Sequence, residues 1–153
     1  LDKHRYLKPP FLVKLADPRC SPFRTHETDA GADMFSIEEV AIYPGEQKLV
    51  DTGVAIKIPV GYVGYVFNRS SQGKLGIQIA NGTGLIDTDY RGFIKVLLKN
   101  TSTEPYFITQ FTTRIAQLVI SPVVLAQFVE FDGTEEKWLD TKRGEGGFGS
   151  TGI

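Results

Sequence analysis

An all-β fold is what this sequence predicts, an antiparallel sandwich or barrel, and three observations carry the prediction. Short segments rich in Val, Ile, Phe and Tyr recur along most of the 153 residues. Gly, Pro, Asp or Asn closes nearly every one of them. No long apolar period of the helical kind competes with them. About ten short strands with turns at this spacing make a sandwich or a barrel. A chain of this length builds one core without disulfide or metal staples.

Phe11 to Leu15 (F-L-V-K-L) is the first expected strand, between Pro10 and the turn-prone A-D-P-R-C-S-P. Asp29 to Ser36 follows, a small-residue run leading into Met34-Phe35. V-A-I-Y ends at Pro44-Gly45, a turn dipeptide. Residues Gln47 to Ile58 alternate as one long strand or as two joined at Thr52-Gly53, and Pro59-Val60-Gly61 turns the chain. Within Tyr62 to Asn68, Gly64 marks a bulge or a close backbone approach. R-S-S-Q-G-K reads as a loop or a single helical turn. Ile77 to Ala80 leads into a glycine-rich hairpin and Phe93 to Leu98 leaves it. Arg114 to Ile120 and Val123 to Phe131, with Pro122 between them, complete the strands. The expected organisation is a β domain over residues 1–131 and a connector with a glycine-rich lid over 132–153.

Seventeen basic residues nearly balance eighteen acidic ones, so bulk charge gives no reason to expect direct nucleic-acid or membrane binding. Cys20 is the single cysteine, which excludes an internal disulfide and a multi-cysteine metal cage; a small buried or half-buried residue is expected there. No apolar run approaches the roughly 18 residues of a membrane span, and no secretory pattern opens the sequence, so a cytoplasmic protein is expected. His4 and His26 form no ligand-spaced pair and are expected to be solvated or locally bonded.

Two stretches carry chemistry. Asn81 to Gly92 (N-G-T-G-L-I-D-T-D-Y-R-G) combines a glycine-rich turn with two carboxylates, a tyrosine and an arginine. If Leu85 and Ile86 anchor the hairpin, Asp87 is a fixed carboxylate able to orient and deprotonate water. Taken alone, the stretch reads first as a turn whose polar groups satisfy their own backbone. The tail R-G-E-G-G-F-G-S-T-G holds five glycines in ten positions, a composition that usually means disorder. Arg143 and Phe148 within it supply a phosphate-binding cation and a stacking ring on backbone able to wrap a ligand. The tail lacks the G-K-[ST] ending of a P-loop and reads as a lid.

Five segments in order then define a resemblance: A-G-A-D-M-F-S at Ala30 to Ser36, R-S-S at Arg69 to Ser71, G-L-I-D-T-D-Y-R-G at Gly84 to Gly92, R-I-A-Q-L at Arg114 to Leu118, and the glycine-rich tail from Arg143 to Gly152. The set resembles the five motifs of the trimeric dUTPases, with similarity to phage and viral members. The resemblance implies a jelly-roll-like β-barrel subunit (the β-clip), a homotrimer with active sites at subunit interfaces, Mg²⁺ bound with the substrate, and hydrolysis of dUTP to dUMP and pyrophosphate. Such an activity limits uracil incorporation into DNA and supplies dUMP for thymidylate synthesis.

Carried over by position, the resemblance makes Asp87 the carboxylate that activates water and Tyr90 the ring beneath the deoxyribose. It sets Asn81, Gly84, Leu85, Ile86 and Lys95 along the base-reading hairpin. Arg69, Ser70 and Ser71 match the phosphate-contacting turn, Gln117 a contact to phosphate or its ordered water, and Asp33 the aspartate that holds Mg²⁺ through water. Arg143 matches a γ-phosphate arginine, Phe148 the ring on uracil, and Gly149, Ser150 and Thr151 further phosphate contacts. The second motif departs from the common P-R-S-G: here it is Asn68-Arg69-Ser70-Ser71, with a spacing to the third motif that is one residue longer.

These residue types suit the chemistry. A triphosphate needs cations and backbone N–H groups to neutralise departing pyrophosphate. Mg²⁺ keeps waters and prefers phosphate oxygens, so one carboxylate can suffice. A narrow hairpin slot excludes thymine's methyl group, and mismatched buried hydrogen bonds reject cytosine by roughly 10⁴ to 10⁵. Asp89 and Arg91 are expected in structural or interfacial ion pairs, and Arg114 in bracing the fold. The eleven residues from Asp132 to Lys142 span about 35 Å if extended, so the lid is expected to close over a neighbouring subunit, with Trp138 docking the connector. The competing expectations are a dCTP deaminase-like enzyme, whose catalytic glutamate pattern is not found, and a regulatory binding protein on the same fold.

Overall fold

The structure, a computed structural model, describes residues 10–149. The chain is all-β as expected, with every strand pairing antiparallel. In order come β1 (Leu12–Leu15), β2 (Ala32–Phe35), β3 (Val40–Ile42), β4 (Gln47–Asp51), β5 (Val54–Lys57) and β6 (Tyr62–Phe67). The helical turn α1 (Ser70–Lys74) then precedes β7 (Ile77–Ile79), β8 (Gly84–Ile86), β9 (Lys95–Asn100), β10 (Tyr106–Ile108), β11 (Arg114–Pro122) and a second short helix, α2 (Glu135–Trp138).

Four small sheets enclose one core in a jelly-roll-like barrel. The largest runs β2-β11-β6-β8; the others are β4-β9-β7, β1-β5 and β10-β3. Inward positions of all but the β1 strand are apolar and meet in a single cluster, including Met34, Ile42, Val50, Ile56, Val66, Ile77, Ile86, Val96, Ile108 and Leu118. Period-2 alternation accounts for most of this: on most strands alternate residues are apolar and turn inward while their neighbours face out. Burial of Asn100 would be costly without partners. Its amide donates to the carbonyls of Ile42 and Glu104 at 2.8 and 2.7 Å, and its oxygen accepts from the Ser102 backbone and hydroxyl.

The two glycine expectations resolve in specific ways. Gln47 to Ile58 is two strands, because Gly53 turns the chain at φ +66. A Cβ there would collide with Ile37 and come within 2.7 Å of the Cys20 sulfur, so the turn closes over a fully buried thiol. That burial pushes the thiol pKa up. Gly64 is a close approach and not a bulge: its register with Ile120 and Ile86 is continuous, and a Cβ would sit 2.9 Å from Ile58.

Three segments correct the sequence reading. β10 was not expected; it is three residues long and flanked by polar residues, too short for a pattern, and it pairs with β3. Val123 to Phe131 is not a strand. After the Val123 N–H bonds the Gly61 carbonyl at 2.9 Å, the chain leaves the body with no ladder partner among the described residues and with Val124, Leu125, Phe128 and Val129 exposed. The connector is not extended throughout, because α2 interrupts it. Trp138 packs on Phe131 of the same arm, centroids 5.2 Å apart. No helix among the described residues is long and apolar enough to cross a membrane.

Candidate active site

Polar residues converge on an open pocket of about 420 Å³ where β2, β11 and the start of α1 meet. Asp33 lies on its floor with a side chain only 14% exposed. Arg69 grips that carboxylate from both ends of its guanidinium, Nε to Oδ1 at 2.7 Å and Nη2 to Oδ2 at 3.3 Å. Arg114 adds a third donor, Nη1 to Oδ2 at 2.9 Å, and reaches the Thr25 hydroxyl at 3.3 Å. One carboxylate facing two guanidiniums leaves net positive charge, with donors already aimed and their geometry fixed. An arriving polyanion needs little further ordering.

Local sequence builds each wall. Gly31 makes room for Gln117, since a Cβ there would meet the amide oxygen and force that side chain to shift. Gln117 itself donates to the Asn68 carbonyl at 2.9 Å and so fixes the turn before α1. Asn68, the departure from the common proline, donates to the Ile77 carbonyl at 3.0 Å and ties that turn to β7. Between Arg114 and Ala116 the register of β11 slips. Ile115 and Ala116 are both buried, and Arg114 and Gln117 then share the pocket although three positions apart. The irregularity re-aims Arg114 in the way a β-bulge does. Arg114 therefore braces Asp33, as expected, and also lines the pocket, which the sequence reading did not assign to it.

Of the predicted site residues, Asp33, Arg69, Ser70 and Gln117 come together here, and Ser71 joins through a 3.1 Å bond from Arg69. Thr25, His26 and Asp29 also line the pocket and were missed as site residues. Their one signal was position, directly before the first motif. His26 is exposed and locally bonded to Asp29, as expected.

The hairpin stands apart. Asn81, Gly84, Leu85, Ile86, Asp87, Tyr90 and Lys95 do not line the pocket. Ile86 points into the core, so only its backbone can meet a ligand, whereas Leu85 is 62% exposed. Asp87 follows just beyond β8 and is exposed. The Tyr90 hydroxyl donates to the Phe93 carbonyl at 2.8 Å, and Arg91 donates to the Thr88 and Tyr90 carbonyls, bracing the turn from within. In the tail, Arg143 donates to the Gly146 carbonyl at 2.7 Å, Gly149 adopts φ +83, and the Phe148 ring is fully exposed. Ser150 and Thr151 lie outside the described residues.

Register places pocket and hairpin on one outward sheet face. Asp33 pairs with Gln117, Gln117 with Phe67, Val119 with Tyr65, and Tyr65 with Leu85, and directly paired residues share a face. Tyr65 and Phe67 stack there at 5.4 Å.

Among the described residues no three His, Cys, Asp or Glu side chains form a cation cage. Asp33 still fits a hydrated Mg²⁺. A carboxylate has about four acceptor sites, and the guanidiniums take three of them, leaving one for a metal-bound water and none for a chelate.

The fold and pocket define a β-barrel protein built to hold a polyanion, with a carboxylate-bearing hairpin on the same face. More narrowly, the chain belongs to the dUTPase family, whose model matches residues 19–152. It is 45% identical over 143 residues to the deoxyuridine 5'-triphosphate nucleotidohydrolase of Corynebacterium jeikeium, covering 93% of this chain and 92% of that one. The structure is similar to the Staphylococcus bacteriophage 80alpha dUTPase solved with dUPNHPP, at TM-score 0.80 and 32% identity, covering 95% of this chain and all of the other. It is also similar to a dUTPase from phage phi11 of S. aureus, described as revealing coordination of a structural Mg(II) ion, at TM-score 0.74 and 30% identity over 83% of this chain and 99% of that one.

Proposed function

We propose that this chain hydrolyses dUTP to dUMP and pyrophosphate with Mg²⁺, as a homotrimer whose active sites form between subunits. The observation that carries the reading is the double guanidinium grip on Asp33 beside Ser70 and Gln117, a site fitted to a polyanion. The carboxylate that chemistry requires is Asp87, exposed on the hairpin and outside that pocket. A second copy seated on the apolar part of the shared face, at Tyr65, Phe67, Leu85 and Val119, would bring one subunit's hairpin to another's pocket. The unpaired arm with Val124, Leu125, Phe128 and Val129 exposed supports the same assembly. The relatives' printed substrate name and the dUPNHPP of the 80alpha structure support the choice of substrate.

Arg69, Ser70, Ser71 and Gln117 hold the phosphates. Asp87 orients a water in line with the α-phosphorus and takes its proton, while the bond to the bridging oxygen breaks and pyrophosphate leaves as a unit. Bound Mg²⁺ would neutralise phosphate charge and orient the leaving group, with Asp33 holding one of its waters. Asn81, Gly84, Leu85, Ile86 and Lys95 form the base slot through the hairpin backbone, and Tyr90 packs under the sugar, where a 2′-hydroxyl has no room. Arg143, Phe148 and Gly149 close over the nucleotide in a neighbouring subunit's site; the other two tail residues expected to contact phosphate, Ser150 and Thr151, lie outside the described residues.

Pyrophosphate release from dUTP, dTTP, dCTP and UTP, with and without Mg²⁺, tests this. Fast, metal-dependent turnover of dUTP alone is expected. Ammonia release from dCTP, or no turnover of dUTP, would overturn it.

A further inference from the structure

His26 opens a turn whose far end is Asp29, and this turn forms one rim of the Asp33 pocket. The Asp29 N–H bonds the His26 carbonyl at 3.1 Å, and the Asp29 carboxylate accepts the His26 backbone N–H at 2.8 Å. That same Oδ2 lies 3.3 Å from the imidazole Nδ1. The backbone N–H of His26 holds the Asp29 carboxyl below its ordinary range, so it stays a carboxylate facing the ring. Arg24 secures the turn from the other side, Nε to the Asp29 carbonyl at 2.9 Å. With Nδ1 turned to the Asp29 carboxylate at 3.3 Å, Nε2 is the nitrogen left for a ligand. With both ring nitrogens carrying a proton, Nδ1 faces the carboxylate and Nε2 is a donor for an anionic oxygen.

The rim position determines which part of a ligand the ring meets. Arg69, Ser70 and Gln117 line the inner wall around Asp33, whereas His26 has a side chain 75% exposed at the mouth. The charged groups around it are Asp29, Arg24 and Glu27 on its own loop, Asp33 on β2, Arg69 before α1, and Arg114 on β11. We propose that His26 is a substrate-binding residue that takes an oxygen of the pyrophosphate part of the triphosphate, and that Asp29 is the residue positioning its ring. This rests on the reading of the pocket as a phosphate site and adds a subsite for the leaving group.

The test uses the full chain with Mg²⁺ and three probes: dUTP turnover, inhibition by inorganic pyrophosphate, and binding of dUMP. His26→Ala should raise the KM for dUTP and the Ki for pyrophosphate together by about five- to tenfold, the worth of one solvent-exposed charge-assisted contact. The value of kcat should stay within about twofold, because dissociation of substrate and not the chemical geometry is altered. Affinity for dUMP should not change, since dUMP lacks the leaving phosphates. Asp29→Asn, which keeps an acceptor for the backbone N–H and removes the charge, should show the same pattern at smaller size. His26→Gln, which keeps a neutral donor, should recover part of the loss. An unchanged Ki for pyrophosphate in His26→Ala, or an equal loss of dUMP affinity, would overturn the proposal. Binding of tripolyphosphate by wild type and His26→Ala, followed calorimetrically, gives the same answer without turnover. If wild type binds tripolyphosphate yet does not hydrolyse dUTP, the functional reading falls while the subsite is still tested.

Discussion

The pocket and the hairpin share one sheet face but differ in how complete they are within a single chain. In the pocket every principal side chain already has its partner: Asp33 its two arginines, Gln117 the Asn68 carbonyl, Arg69 the Ser71 hydroxyl. The hairpin is braced from within by Tyr90 and Arg91, while Leu85 and Asp87 face solvent. The difference separates two tasks. Binding a polyanion needs fixed donors, and one subunit can supply them. Aligning a water with the α-phosphorus, as proposed for Asp87, needs the hairpin held against the pocket, and in the proposed homotrimer that falls to assembly.

The largest effect should come from splitting these tasks between chains. Asp87→Asn should lower kcat by about 10² to 10⁴, the usual range for loss of a general base, with dUTP affinity largely kept. A chain truncated after Lys142 should be similarly impaired, through loss of the lid. Mixed and reassembled, the two variants should regain activity well above the sum of the separate preparations, because some sites then carry an intact hairpin and an intact tail from different chains. Recovery no greater than that sum would place the whole site in one subunit.

A smaller effect is expected inside the pocket. Arg114→Met keeps the stem beside Phe23, whose ring lies 5.5 Å from the guanidinium carbon, and removes one donor from Asp33. Arg69 remains, so the carboxylate is not orphaned, and the loss should be about 1 kcal/mol, or about 2–4 °C in Tm. The KM for dUTP should rise several-fold, because Arg69 becomes the sole counterion of Asp33 and is less available to phosphate. A thermal unfolding scan with steady-state kinetics checks both. An unchanged Tm would mean that Arg114 only decorates the rim.

The ease of reading these regions from sequence differed for physical reasons. Strands with apolar alternation were legible because period 2 and turn residues are local properties. Val123 to Phe131 has the same alternation and failed, because a strand is a ladder and this segment has no ladder partner among the described residues. Tyr106–Ile108 was hidden by its length. At the site, Asp33, Arg69, Ser70 and Gln117 were found through ordered motifs. The pocket role of Arg114 depends on a register slip that no spacing rule reveals, since residues three apart on a regular strand face opposite ways. His26 and Asp29 were passed over because a histidine and an aspartate around a turn are most often a local pair. Only the fold shows which cavity they border.

The mildest test bears on the part of the hairpin that is complete. Gly92 has no positive φ to defend, so its lack of a side chain serves space and not backbone conformation. A Cβ there would stand 2.6 Å from the Tyr90 hydroxyl and 2.8 Å from its Cζ. Gly92→Ala should therefore push the ring outward and break its 2.8 Å bond to the Phe93 carbonyl, at a cost of about 1 kcal/mol. Neither the Asp33 pocket nor the β6–β8 pairing is touched, so binding of pyrophosphate should match wild type. If Tyr90 tests the sugar, the ratio of kcat/KM for dUTP over UTP should fall about threefold to fivefold, by a partial loss of the packing that rejects a 2′-hydroxyl. If the ratio holds while kcat for both falls together, the tyrosine supports the position of Asp87, and discrimination against ribose lies elsewhere in the assembled site.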